Sequence, residues 1–250
     1  MKPTVGKKQS EITREWGRIA RLRAGQIKEG KDLSYTFVLL PCVKELTIES
    51  DFSSVLDAGC GTGMITRELA DGGGNIVGVD ISEESIRVAQ ESCRGCRNVE
   101  FVTSAIEVYA EKIKKQIFTL AIANMSLMTV LNLEESVEAV GKIVKPGGHF
   151  VVTITHPCFW PLYWGYAFEE WFNYSEEIPI EAEFMISLDR LSGRVTTHVH
   201  RPLNRYIEAM VKAGFTIDKL VEPMPSWEIE KKYPKKWEYP RFLAIRCIKS

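Results

Sequence analysis

Apolar residues along the chain come in short bursts of two kinds, and the two kinds take turns. Val55-Leu56, Ile76–Val79, Val99–Thr103, Phe118–Ala123 and Phe150–Thr155 are compact, nearly continuous apolar runs, the pattern of strands covered on both faces. Between them the apolar positions move to helical spacing. Met64, Ile65, Leu69 and Ala70 form one stripe, a second helix covers Glu83–Cys93 with Ser82 as N-cap, and Leu133, Val137, Val140, Gly141 and Val144 form a third. Lys145-Pro146-Gly147-Gly148 predicts the end of that helix, with glycine for a left-handed cap and proline barring continuation. Arg201-Pro202-Leu203 leads into a helix ending at Ala213-Gly214, followed by two more strands, Phe215–Val221 and Phe242–Ile248. Strands alternating with helices predict an α/β fold around a parallel sheet.

The remaining stretches are less regular. Residues 1–9 carry no pattern and are expected to be disordered. Ile12, Trp16, Ile19 and Ala20 predict a helix from Ser10 to Ala24, and a second helix spans Leu33–Ile48, kinked or split by Pro41. Residues 159–174 hold nine aromatic side chains at irregular spacing. Two roles are open for them: packing an inserted lid onto the main sheet, or lining an apolar or cation-binding pocket. A hairpin is expected around Leu191–Arg194, with Phe184, Ile186 and Leu188 in one arm and Val195, Thr197 and Val199 in the other. The organisation predicted is one domain over residues 1–250, with an N-terminal helical cap (1–50) and an insertion (157–200).

Charge and composition narrow the partners. A formal net charge of -1 gives no electrostatic case for nucleic acid, and the lysines at 231, 232, 235 and 236 read as a solvated loop. No apolar run reaches the length of a membrane span, and no signal-peptide pattern opens the chain, so a cytoplasmic location is expected. Six scattered cysteines in 250 residues read as reduced thiols. Cys93 and Cys96 have C-x-x-C spacing, and His198 and His200 share a strand face, but neither pair has the further ligands of a metal site, so no metal is expected.

The chemistry concentrates at Asp57-Ala-Gly59-Cys-Gly61-Thr-Gly63, between the first strand and its helix, and at Asp80, which ends the next strand. Glycines there let a ligand approach the backbone closely. An acid about 20 residues on is placed to accept ribose hydroxyls. A dinucleotide fingerprint would place a glycine at Met64 and no acid beside the loop. The Asp57 carboxylate would repel a pyrophosphate but accept hydrogen bonds from an ammonium, which favours a ribose ligand with a cationic amino-acid tail.

The D-A-G-C-G-T-G string followed by Asp80 resembles the first motifs of class I S-adenosylmethionine (SAM)-dependent methyltransferases, and V-K-P-G-G before strand five continues the likeness from Val55 to Thr155. His156-Pro157, the His200–Phe215 string, Glu222-Pro223 and Pro240–Leu243 are similar to the methyltransferase-11/25-like small-molecule group. This resemblance implies a doubly wound, seven-stranded, mostly parallel Rossmann-like sheet with an antiparallel final strand, SAM as cofactor, and methyl transfer to a small-molecule acceptor. It implies Asp57 at the amino group, Gly59 and Gly61 at the close approach, Asp80 at the ribose, Ser104 and Ala105 at the adenine, Asn124 near the sulfonium, and Ile81 and Met125 among the further cofactor-binding residues. Tyr35, Trp160 and Trp164 become candidates for the acceptor pocket. His156 is a candidate general base; the other reading is a histidine that orients its loop through the backbone. Two departures stand out: Ser104 occupies a position where the family often has an acid, and Asn124-Met-Ser-Leu is not the tetrad of nucleobase N-methylating enzymes. A SAM-binding protein without transferase activity, a methyltransferase acting on protein or RNA, and an NAD-dependent dehydrogenase remain as alternatives.

Overall fold

The computed structural model describes residues 1–189 and 193–250. Five strands run parallel: β2 (Ser54–Ala58), β3 (Asn75–Asp80), β4 (Val99–Thr103), β5 (Phe118–Asn124) and β6 (Val144–Thr155). With β9 (Phe215–Val221) and β10 (Phe242–Lys249) they form one sheet in the order β4-β3-β2-β5-β6-β10-β9, with β10 antiparallel to both neighbours. The expected seven-stranded, doubly wound α/β sheet is therefore present. Strand order reverses between β2 and β5, and a ligand crevice opens at that point beyond the carboxyl ends of the strands.

The period of two along the central strands divides the core. Leu56, Ala121, Ala123, Phe150, Val152 and Ile154 face one layer, with α5 (Ile106–Ile113), α6 (Leu133–Ile143) and α8 (Leu203–Lys212). Val55, Leu120, Ile122 and Val151 face the other, with α2 (Leu40–Thr47) and α3 (Met64–Leu69). α4 (Glu83–Ser92) begins at the Ser82 cap, whose hydroxyl accepts from the Ser85 N–H.

Several elements differ from expectation. The helix before β6 has no left-handed cap: Val144 is already extended, and Lys145–Gly148 bulge out of the β5–β6 ladder, using Gly147 at φ 76. The helix through Pro41 stays continuous by widening to π geometry over Tyr35–Leu39, so the turn before the proline absorbs its missing N–H. Residues 1–9 are ordered. β1 (Lys2–Pro3) pairs with β7 (Ile178–Glu183), which pairs with β8 (Val195–His200) in a second, antiparallel sheet. Lys7 bridges Glu15 on α1 (Gln9–Lys28) at 2.5 Å and Glu181 on β7 at 2.6 Å. The hairpin's first arm lies earlier than its alternation suggested, at Ile178–Glu183, leaving Phe184–Leu188 outside the ladder. The first half of its expected turn, Leu191–Arg194, falls outside the described residues. No helix among the described residues is long and apolar enough to cross a membrane.

Candidate active site

A cavity of about 730 Å³ lies over the switch point, floored by the carboxyl ends of β2–β6 and roofed by α1, the Leu33–Thr47 helix and the small sheet. Asp57, Gly59, Gly61, Asp80, Ile81, Ser104, Ala105, Asn124, Met125, Tyr35, Trp160 and Trp164 all line it. Of the candidate cofactor, acceptor and base residues only His156 stands outside its wall.

At the centre β2 turns into α3. Gly59 has φ 75, and a Cβ there would meet the Ser126 Cβ at 2.4 Å. Its freedom therefore serves packing against the β5 loop, not ligand approach. Ser126 locks the two loops further by donating to the Ala58 carbonyl at 2.9 Å. Gly61, at φ 51, has nothing within 4 Å of a built Cβ and is the open face of the loop. Two acids flank this face. Asp80 accepts the Gly61 N–H at 2.9 Å through one oxygen and the Ser82 N–H at 2.8 Å through the other, so it holds the loop and the start of α4 together. Burial raises its pKa, against the pull of those two N–H groups. Asp57 is 1 % exposed and accepts the Thr66 hydroxyl at 2.5 Å. Burial pushes its pKa up to about 7; the Thr66 bond opposes the rise and the Asp80 charge adds to it.

Ser104, at the end of β4, donates to the Ala105 carbonyl at 2.9 Å, which leaves its oxygen lone pairs available to an amino group. Asn124 ends β5 with its Oδ1 accepting the Thr153 hydroxyl at 2.7 Å. Met125 holds φ 56, unusual without glycine, and its N–H donates to the Thr153 carbonyl at 2.9 Å. The helical cap adds Tyr35, whose hydroxyl is shielded from solvent and has no partner among the described residues. Burial raises its pKa, and the charges of Glu68 and Asp57 add to the rise. Asp32 caps that helix through the Tyr35 N–H at 2.9 Å and pairs with Arg23 at 2.5 Å.

His156 is 2 % exposed and lies beside a separate void of about 10 Å³. Its Nε2 meets Glu222 at 2.8 Å, and its Nδ1 accepts the Cys158 N–H at 3.2 Å. Burial lowers its pKa, partly offset by Glu222. Both nitrogens are engaged, and the ring ties β6 to the following loop; its geometry is that of an anchor, not of a base facing an acceptor. Cys93 is buried in the turn after α4 and His200 bonds the Tyr174 carbonyl at 3.0 Å. No group of three or more metal-ligating side chains exists among the described residues.

Sequence reading missed Trp16, Phe184, Met185 and Arg241 in the cavity wall, while Tyr163 comes from the aromatic stretch 159–174 for which a pocket role was left open. Trp16 and Phe184 meet edge to face with centroids 5.7 Å apart, joining cap to lid. Arg241 precedes β10 and therefore emerges at the crevice edge, beside Thr155. The local signal for it was a charged residue between Pro240 and an apolar strand.

The sheet order, the antiparallel last strand and the acid-flanked glycine loop define a Rossmann-like nucleoside-binding α/β protein of the class I methyltransferase type. A family model described as a methyltransferase domain matches residues 49–186, over half of the chain, and the chain belongs to that family, the SAM-dependent methyltransferases. The ubiquinone biosynthesis O-methyltransferase of Erwinia tasmaniensis is 33% identical over 95 residues, 38% of this chain and 39% of that one. The chain thus matches about two fifths of the length of such curated relatives. Among solved structures, a Listeria monocytogenes chain assigned as an S-adenosylmethionine-dependent methyltransferase superposes with TM-score 0.68 at 22% identity, over 85% of this chain and 96% of that one. The N-methyltransferase NodS from Bradyrhizobium japonicum, in complex with S-adenosyl-L-homocysteine (SAH), gives TM-score 0.55 at 13% identity, over 84% of each chain. These two likenesses are of fold alone.

Proposed function

We propose that the protein transfers the methyl group of SAM to a nucleophilic atom of a small-molecule acceptor inside the 730 Å³ cavity. The observation that carries this reading is the pair of acids, Asp57 buried and Asp80 half-buried, on either side of the open Gly61 face. The donor set fits SAM: a carboxylate for the ammonium at Asp57, a carboxylate with spare lone pairs for ribose hydroxyls at Asp80, an acceptor oxygen at Ser104 beside Ala105 for adenine. Asn124 and Met125 stand at the mouth of β5, near the sulfonium in this reading. Bound SAM supplies a methyl group already activated on a positive sulfur and leaves as SAH. The protein's own part is to align and to exclude water, and alignment contributes on the order of 7–11 kcal/mol in well-oriented systems. His156 lies outside the cavity wall with both ring nitrogens engaged, so it takes no proton from the acceptor in this reading.

A small acceptor is supported by the roof. Trp16, Tyr35 and Phe184 close over the cavity from the cap and the lid, a wall suited to a diffusible molecule more than to a protein or RNA segment. A quinone-ring acceptor would agree with the name of the Erwinia relative. Six free cysteines accord with a cytoplasmic enzyme. Incubation of the pure protein with tritiated SAM and a fractionated metabolite extract tests the reading. Label in a low-mass fraction is expected; label in protein or RNA only, or none with SAH binding intact, would contradict it.

A further inference from the structure

The donor set assigned to SAM occupies the carboxyl ends of β2, β3 and β4, on one side of the switch point. The side over β5 and β6 is left for the acceptor. Its wall is mostly apolar: Tyr35 and Leu39 come from the cap, Trp160 and Trp164 from α7 (Trp160–Trp164), and Phe242 from β10. Asn124, the last residue of β5, puts a polar side chain among them.

Which end of the Asn124 amide faces the cavity is fixed from below. Thr153, its register partner on β6, is fully buried and lies outside the cavity wall. The Met125 N–H donates to the Thr153 hydroxyl oxygen at 3.1 Å, as well as to the Thr153 carbonyl. The one hydroxyl proton goes to Asn124 at 2.7 Å, so the atom that meets it is the acceptor, Oδ1. A flipped amide would leave that proton buried and unmade, which is costly. The end left for the cavity is therefore Nδ2, which only donates. It has no hydrogen-bond partner among the described residues, and it is not among the side-chain atoms sealed from solvent.

This sign selects the attacking atom. With a sulfonium on one side and an N–H donor on the other, the group between them must be rich in electrons. An amine nitrogen attacks with its one lone pair and has none left to accept from Nδ2. An oxyanion attacks with one pair and keeps others for the amide. The same bond favours the ionised oxygen and lowers its pKa, which suits a cavity that His156 does not line.

Resting on the methyltransferase reading, we propose that the attacking atom of the acceptor is an acidic hydroxyl oxygen, phenolic or enolic, held as its anion by the Asn124 Nδ2–H. Thr153 is the positioning residue that sets the amide. The hydroxyl proton is given up to water. An oxygen lone pair forms the O–CH3 bond, the S–CH3 bond breaks with its electron pair on sulfur, and SAH leaves as an uncharged thioether.

The test uses the full chain with methyl-tritiated SAM and the fractionated metabolite extract. Hot hydriodic acid frees an oxygen-bound methyl group as volatile methyl iodide and leaves nitrogen- or carbon-bound methyl in the residue. The label of the low-mass product is expected in the vapour. Asn124→Asp, which keeps the size and replaces the donor by an acceptor, should slow label transfer by about ten- to a hundredfold, the worth of a hydrogen bond to a charged group. SAH affinity is measured alongside and should fall by much less. Thr153→Val keeps the shape and frees the amide to turn, and should slow transfer by about three- to tenfold. Thr153→Ser restores the hydroxyl and should stay within about threefold of the parent, a rescue that a packing role would not give. Label that stays in the residue, Asn124→Asp at parental rate, or a Thr153→Ser loss equal to that of Thr153→Val overturns the proposal. No label in any low-mass fraction while SAH binds overturns the methyltransferase reading instead.

Discussion

At the scale of single residues, the glycine loop divides its labour. The missing Cβ of Gly59 faces Ser126, and that of Gly61 faces the cavity. Gly59→Ala should therefore cost stability, about 1–3 kcal/mol for the left-handed backbone alone and more for the clash, read as a lowered Tm. Gly61→Ala should lose only the backbone part in stability but weaken SAH binding by an order of magnitude or more, because the new methyl enters the ligand's space. Asp57 gives a pH prediction. Its ligand-free pKa of about 7 means that below neutrality it must lose a proton before pairing with an ammonium. SAH affinity is expected to fall by up to about tenfold per pH unit below 7, and Asp57→Asn to bind weakly with little pH dependence, checked by calorimetry from pH 5.5 to 8. The stability sign follows as well. A carboxyl whose folded pKa is raised above its unfolded value, about 3.9, stabilises the fold most below that value and loses the contribution as pH rises through 7. Asp57→Asn should thus be more stable than the parent at pH 8, with the advantage shrinking towards pH 5.

At the scale of elements, the lid is held by a strap. β1 pairs with β7, Lys7 joins Glu15 to Glu181, and the Gln9 side chain bonds the Thr129 carbonyl and the Leu131 N–H. Deleting residues 1–8 should leave the seven-stranded sheet folded but raise hydrogen exchange in β7 and β8 and weaken SAH binding by about three- to tenfold, since opening free energies at edges are small. This is also where sequence reading stopped short. The parallel strands were legible because burial on both faces makes them continuous apolar runs, and Asp57, Asp80 and Ser104 were legible because each ends such a run. The two-residue β1 has no local signal; it exists because β7 offers an edge. The alternation of Phe184, Ile186 and Leu188 has a physical origin, but Phe184 and Ile186 line the cavity instead of joining a ladder. His156 sits at the right sheet edge, and only the coordinates show Glu222 and the Cys158 N–H claiming both ring nitrogens. Arg241 was hidden because the cavity-wall ring it lies over, Tyr163, is over 70 residues earlier in the chain.

At the scale of the whole molecule, fold and cavity support one proposal: a nucleoside with a positive amino-acid tail seats at the switch point, under the roof made by α1 and the small sheet. Ligand that binds only the folded state raises stability by about 2.7 kcal/mol at a hundredfold excess over Kd. For a chain of 250 residues that is a rise in Tm of roughly 5–10 °C, at about 2–4 °C per kcal/mol. SAM and SAH should produce it, and NAD should not. The most direct test of the central claim is calorimetry of SAH on ligand-stripped protein and on Asp80→Asn, which keeps the size of the side chain but removes the charge that holds Gly61 and Ser82 and, in the proposed reading, the ribose. Tight one-to-one binding by the parent, weakened by about tenfold or more in the variant, is the predicted result. No heat with SAH while NAD binds, or an Asp80→Asn chain whose affinity stays within about twofold of the parent, would contradict it.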